Sequence, residues 1–228
     1  VATAQKAAAI VERADAYVDG SLSWNGNGAF TWKTEDGITG LYNAQLMRYA
    51  GENGVAAYGT IMYVDFIFLA IFIGYATGVA PVISYHYGAG NKKELNNLLK
   101  RSVVLIAAAS LSMLLSEVMA APLAAIFVGY DAGLLDMTVH AYSIYAVSFL
   151  FCGFSIFSSA FFTALGDGLT SALIAFLRTL VFESPSVIIL PLLLGLNGIW
   201  GAIIVAECMS VTVSVIFLVA KRKRYQYF

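Results

Sequence analysis

Long apolar runs separated by short polar connections set the pattern of this chain. A helix needs roughly 20 largely apolar residues to cross the hydrocarbon core of a bilayer. Runs of that kind occupy Ala56–Ser84, Val103–Val128, Val139–Leu165, Leu169–Leu194 and Ile199–Ala220. A further apolar segment, Ile38–Ala50, is too short to cross alone and carries Asn43, Gln45 and Arg48, so it reads as a partial span. The expected fold class is an all-α membrane protein, a bundle of five full transmembrane helices plus one partial helix.

The first 37 residues break with this pattern. Gln5–Val18 can form an amphipathic helix, and Ser21–Thr34 reads as a hairpin in which Leu22 and Trp24 face Phe30 and Trp32 around Asn25-Gly26-Asn27-Gly28. The chain therefore divides into a polar appendage, residues 1–37, and a transmembrane lobe, residues 38–228. The appendage is either a small capping module or a foreign or truncated segment joined to the membrane part, since a lone hairpin of this size is only marginally stable.

Composition agrees with the apolar pattern. The 228 residues are 60% hydrophobic and 12% charged, with a formal net charge of −1, so the overall balance points to neither nucleic acid nor an acidic partner. Charge placement is more informative. Lys92, Lys93, Lys100 and Arg101 follow the first full span, and Lys221-Arg222-Lys223-Arg224 follows the last. Both basic segments are expected on the cytoplasmic side, and the even number of spans between them allows it. The connection containing Asp131 and Asp136 is then external, and Lys92–Leu99 reads as a short interfacial helix. Cys152 and Cys208 lie in apolar runs, as packed small hydrophobes do, and no zinc-ligand spacing accompanies them. No cofactor is expected.

All four prolines, Pro81, Pro122, Pro185 and Pro191, fall within or at the ends of the apolar spans, which implies bent or broken helices. The candidate chemistry is acidic. Asp65, Glu117, Glu183 and Glu207 each fall near the middle third of a different span, and Arg178 is the base at similar depth. An acid at the bilayer centre costs roughly 2.5 to 3.5 kcal/mol even on the lenient insertion scale, so function or a fixed hydrogen bond has to justify it. A wet, negatively lined cavity would attract lipophilic cations and let protons compete with them. Arg178 and Glu183 are five positions apart, well off a common stripe at 3.6 residues per turn, so they need not pair. His86, at an expected interface, reads as a solvated histidine in preference to a proton relay.

Several stretches carry a family resemblance. Ala56-Ala57-Tyr58-Gly59-Thr60-Ile61-Met62-Tyr63 leads to Gly78-Val79-Ala80-Pro81-Val82-Ile83-Ser84-Tyr85 and Tyr87-Gly88-Ala89-Gly90-Asn91. Ala164-Leu165-Gly166-Asp167, Leu177-Arg178-Thr179-Leu180-Val181-Phe182-Glu183, Leu190-Pro191, Gly198-Ile199-Trp200 and Ala206-Glu207 follow. In order and spacing, from about Tyr42 to the C-terminus, these resemble the multidrug and toxic compound extrusion (MATE) transporters. The resemblance implies the second of two six-helix lobes, entered partway along its first helix, with the N-terminal lobe missing. It also implies alternating-access export of cationic amphipathic compounds across the plasma membrane, driven by protons or sodium ions. Some members carry a coupling acid on the helix corresponding to Val139–Leu165, which has none here. Glu183 and Glu207 match acids of similar bacterial sequences.

Three other readings compete. A flippase for lipid-linked oligosaccharides would favour a basic cavity for its pyrophosphate. A nonfunctional transporter fragment or a membrane scaffold would need no cavity. An intramembrane aspartyl protease would have to use Asp131 and Asp167, which the topology puts on opposite sides, whereas a two-carboxylate mechanism needs them close enough to share a proton. An enzyme is therefore not expected.

Overall fold

The structure, a computed structural model, describes residues 22–24, 30–32 and 37–227. In the N-terminal part, β1 (Leu22–Trp24) pairs antiparallel with β2 (Phe30–Trp32) in the register Leu22 with Trp32 and Trp24 with Phe30. This is the register expected of the hairpin. Its turn and the helix expected over Gln5–Val18 lie outside the described residues.

Among the described residues, five helical stretches are long and apolar enough to cross a membrane: Gly37–Gly88, Lys92–Val128, Ala132–Ala164, Gly168–Leu194 and Leu196–Tyr225. Their outward surfaces carry bare apolar side chains such as Ile67, Ile126, Leu192 and Leu193, each more than 60% exposed. A water-soluble domain hides surface of that kind, and lipid does not require it to.

The first stretch, α1 (Gly37–Gly88), is a helical hairpin. Gly51 has φ 63° and ψ −153°, a conformation that side chains resist, and the chain reverses there. In a straight helix the Cα atoms of Tyr42 and Tyr58 would be roughly 24 Å apart, yet their rings stack with centroids at 4.8 Å. Gly54 is equally close to Leu46, since a Cβ there would stand 3.2 Å from the Leu46 carbonyl oxygen. The partial span is thus the short arm of this hairpin, packed back on the first full span.

Two of the remaining spans depart from α-helical geometry just ahead of a proline, and a third does so without one. Helix α2 (Lys92–Leu114) starts at an Asn91 cap, whose side chain accepts from the Glu94 N–H, and runs unbroken, so Lys92–Leu99 is its first part and not a separate interfacial helix. A 3₁₀ segment, Leu115–Met119, then precedes α3 (Ala120–Val128) with Pro122 in its first turn. Asp131 caps α4 (Ala132–Tyr145), and a 3₁₀ turn, Ala146–Ser148, joins it to α5 (Phe149–Ala164). After α6 (Gly168–Phe176) comes a π-helical segment, Leu177–Glu183, which ends two residues before Pro185 in α7 (Ser184–Leu194). Proline lacks an N–H and its ring crowds the carbonyl four residues back, and a widened turn before it relieves that conflict. Ser184 helps by giving both its N–H and its Oγ to the Thr179 carbonyl. Gly195, at φ 58°, reverses the chain into α8 (Leu196–Tyr225).

Helix α5 lies at the centre, with Phe149, Phe161 and Phe162 fully buried. Phe68 meets Phe149 edge-on, and Phe72 lies so close to Gly153 that a Cβ there would be 2.4 Å from the ring. Hydrogen bonds pin the neighbours: Tyr75 donates to Ser102 at 2.8 Å, Ser84 to the Ala164 carbonyl at 2.8 Å, and His140 meets Asn197 at 2.9 Å.

An acidic cavity as the candidate functional site

One cavity of about 300 Å³ opens among α1, α4, α5, the π-helical segment and α8. Asp65, Arg178, Glu183 and Glu207 all line it. Helical spacing explains how each element presents them. On α1, Tyr58, Met62, Asp65 and Leu69 fall at i, i+4, i+7 and i+11, one continuous stripe. Across α4 and α5, Tyr145, Ser148 and Cys152 fall at i, i+3 and i+7, and on α8 Ile203 and Glu207 are one turn apart. The short arm of α1 contributes Ile38 and Thr39.

The π-helical segment changes the relation between Arg178 and Glu183. In an α-helix five residues turn through about 140° beyond a full revolution, which would aim the two side chains apart. With i→i+5 closure, residues five apart lie about one turn above each other, and both reach the cavity. The separation expected from α-helical periodicity is therefore corrected, although no direct ion pair joins the two among the described residues.

Arg178 pairs instead with Glu207. Its Nε donates to Glu207 Oε1 at 2.7 Å and a terminal nitrogen reaches the same oxygen at 2.5 Å. The Glu207 side chain is 1% exposed, and its Oε2 is buried with no hydrogen-bond partner within the chain. Asp65 is buried with the Tyr145 phenol as a polar neighbour. Neither Asp65 nor Glu183 has a basic group within 4 Å among the described residues. Three carboxyl groups thus share the hollow with one guanidinium, and one carboxylate oxygen of Glu207 is buried without a partner within the chain.

Glu117 lies elsewhere. It is in the 3₁₀ segment Leu115–Met119, exposed and outside the cavity, where the adjacent Ser116 bonds to Tyr142 at 2.6 Å. Its place in the middle of an apolar run suggested the centre of a helix. The local break before Pro122 turns it outward instead. Asp131 and Asp167 serve as helix caps of α4 and α6. Cavity residues without charge, Tyr145, Ser148 and Thr179, escaped the sequence reading, although the polar stripe from Tyr145 through Ser148 to Cys152 on an apolar span was a usable signal.

A second polar cluster closes the opposite end of α5. The Asp167 carboxylate accepts from Lys221 Nζ at 2.6 Å, Thr170 Oγ1 at 2.7 Å, Tyr225 OH at 2.8 Å and the Thr170 N–H at 3.3 Å. Burial alone would raise its pKa, but these donors outweigh it and hold the carboxyl well below the usual carboxylate range.

The family profile named MatE matches residues 37–189, more than half of the chain. The multidrug export protein MepA of Staphylococcus saprophyticus is 26% identical over 198 residues, covering 85% of this chain and 43% of that protein. MepA from a bovine strain of Staphylococcus aureus is 23% identical, covering 86% of this chain and 43% of that protein. The chain therefore spans less than half the length of these curated relatives. Among solved structures, an inward-facing multidrug resistance MATE family transporter of the MOP superfamily superposes with a TM-score of 0.74 at 21% identity, over 83% of this chain and 43% of that one. The Vibrio cholerae MATE transporter VcmN in its bent form gives 0.73 at 19% identity, over 84% and 46%. These structures share the fold, and the profile match carries the family. The chain is a multi-pass membrane protein that belongs to the MatE family.

Proposed function

We propose that this chain is the C-terminal lobe of a cation-coupled multidrug antiporter, which exports cationic amphipathic compounds by alternating access together with an N-terminal lobe. The observation that carries the reading is the acidic cavity: Asp65 and Glu183 lack a basic partner there and Glu207 leaves one oxygen unpaired, while Arg178 offsets a single charge. Phe66, Met62 and Tyr58 give that hollow the apolar and aromatic surface that a lipophilic cation needs alongside its counter-charge. Protons or sodium ions are the coupling species, because either can occupy the same carboxylates in exchange for the drug. Residues Asp65, Glu183, Glu207 and Arg178 form the ion and substrate pathway, and Glu117 has no part in it. A lipid-linked oligosaccharide would meet a cavity of the wrong sign for its pyrophosphate.

The lobe resides in the plasma membrane with the basic C-terminal segment on the cytoplasmic side. The test is efflux of a fluorescent cationic dye from proteoliposomes containing the complete transporter under an imposed proton or sodium gradient. Dye should move only when a gradient is present, and Glu183→Gln should slow it at least about tenfold, the loss of roughly 1.4 kcal/mol. An unchanged rate removes Glu183 from the mechanism. Gradient-independent dye movement removes the coupling.

A further inference from the structure

The end of the bundle that carries the basic segments holds a second site, whose argument does not depend on the transport reading. A groove of about 560 Å³ is lined by Lys92, Lys93, Asn96, Asn97 and Lys100 of α2 and by Gln226 at the end of α8. A smaller hollow of about 100 Å³ adjoins it, sharing Lys92 and Gln226 and adding Arg224 and His86. Gln226 reaches both because its backbone turns into the left-handed region, φ 55°, which ends α8 and folds the chain across the start of α2. Lys92, Lys93 and Lys100 have no carboxylate within 4 Å among the described residues. Glu94, the acid of the same helical turn, accepts instead from Asn97 at 3.3 Å. The groove therefore concentrates unneutralised positive charge and amide donors at one end of the membrane-spanning bundle.

The outer face of α2 tells which anion fits. Lys93, Asn97, Lys100, Val104 and Leu111 fall at i, i+4, i+7, i+11 and i+18, a single stripe along one side of the helix. Lys93 and Lys100 are exposed, Val104 is 66% exposed and Leu111 54%. The opposite side, with Leu95, Leu99, Ile106 and Met113, is buried in the bundle. Within about 6 Å of rise, one turn from Lys100 to Val104, the stripe passes from cationic to apolar. A free phosphate could use only its first half. A molecule with an anionic phosphate joined to hydrocarbon chains matches both halves in the right order.

We propose that this groove binds the headgroup of an anionic glycerophospholipid, with Lys93 and Lys100 on the phosphate and the acyl chains along Val104 and Leu111. The groove lies at the end of a membrane-spanning helix, and basic clusters in such places recruit anionic lipids.

The experiment is native mass spectrometry of the purified chain in a non-ionic detergent, with phosphatidylglycerol, phosphatidylcholine or inorganic phosphate added at matched concentrations. Phosphatidylglycerol should be retained as one tight adduct under activation that strips phosphatidylcholine. Each lysine near the phosphate contributes about fivefold, so K93Q/K100Q should lower phosphatidylglycerol occupancy at matched lipid by more than tenfold, and K93R/K100R should restore it. Circular dichroism of K93Q/K100Q checks that the helices are intact, as expected for exposed side chains. Equal retention of the two lipids, or undiminished phosphatidylglycerol binding by a folded K93Q/K100Q variant, overturns the proposal. Inorganic phosphate displacing the lipid at equal concentration would also overturn it, because the acyl half would then contribute nothing.

Discussion

Arg178 and Glu207 face each other across the acidic cavity, Nε to Oε1 at 2.7 Å, the guanidinium carried by a π-helical turn and the carboxylate by α8. This contact neutralises one of the three cavity acids and leaves Asp65 and Glu183 to whatever enters. It also ties two spans together.

Removing either partner leaves the other largely buried without its counter-charge. Arg178→Leu and Glu207→Leu should each destabilise the lobe by about 3 kcal/mol, read from denaturant unfolding in detergent micelles. The double variant should lose much less than the sum of the two. Strictly additive losses would mean that the pair is not energetically coupled.

Asp65 acts through its charge. A unit charge about 6 Å from a bound cation in a wet cavity is worth between about 1 and 3 kcal/mol. Asp65→Asn in the complete transporter should therefore weaken a monovalent cationic dye about tenfold and leave a neutral analogue of the dye unaffected. Fluorescence titration separates the two, and equal weakening of both ligands would point to a change of shape and not of charge.

The Asp167 cluster makes a prediction about pH. Its folded pKa is depressed, so the stabilisation it gives is complete above the unfolded value of about 4 and is lost as pH falls through the lower, folded value. Asp167→Asn should cost about 2 kcal/mol at pH 7, the scale of hydrogen bonds to a charged group. The gap between the variant and the parent should narrow as the pH is taken below about 4. Thermal unfolding in micelles at pH 7, 5 and 3 measures it, and a gap that does not change with pH would mean that the carboxylate charge is immaterial.

Gly198 has no room to grow. A Cβ there would stand 2.3 Å from the Leu190 carbonyl oxygen and 2.8 Å from the Pro191 nitrogen, both backbone atoms that cannot swing aside. Gly198→Ala should destabilise by about 1 to 3 kcal/mol through overpacking. Gly201→Ala, with nothing within 4 Å of the added carbon, is the matched control and should be neutral or slightly stabilising.

How much of this the sequence disclosed depends on how local the cause was. The five spans and the partial one follow from hydropathy, because a run long enough to cross a bilayer announces itself whatever it packs against. The shared cavity of Asp65, Arg178, Glu183 and Glu207 follows in part from the cost of acids at mid-depth. Glu117 passed the same test and lies outside, because the 3₁₀ break that turns it out depends on how the chain accommodates Pro122. Arg178 and Glu183 mark the limit from the other direction. No residue pattern spells a π-helix, and only the widened turn ahead of Pro185 brings side chains five positions apart to one side. The pairing of Arg178 with Glu207 is a tertiary event, 29 positions apart in the chain.

The reversal at Gly51 has a mechanical consequence. The short arm is clamped along its length, with Leu46 against Gly54 and Tyr42 on Tyr58, and its first turn lines the cavity with Ile38 and Thr39. Force applied to the chain at Gly37 is therefore delivered first to this uncharged part of the wall. A pull on that arm can thus reshape an uncharged part of the cavity wall, since Arg178, Glu183 and Glu207 belong to other elements.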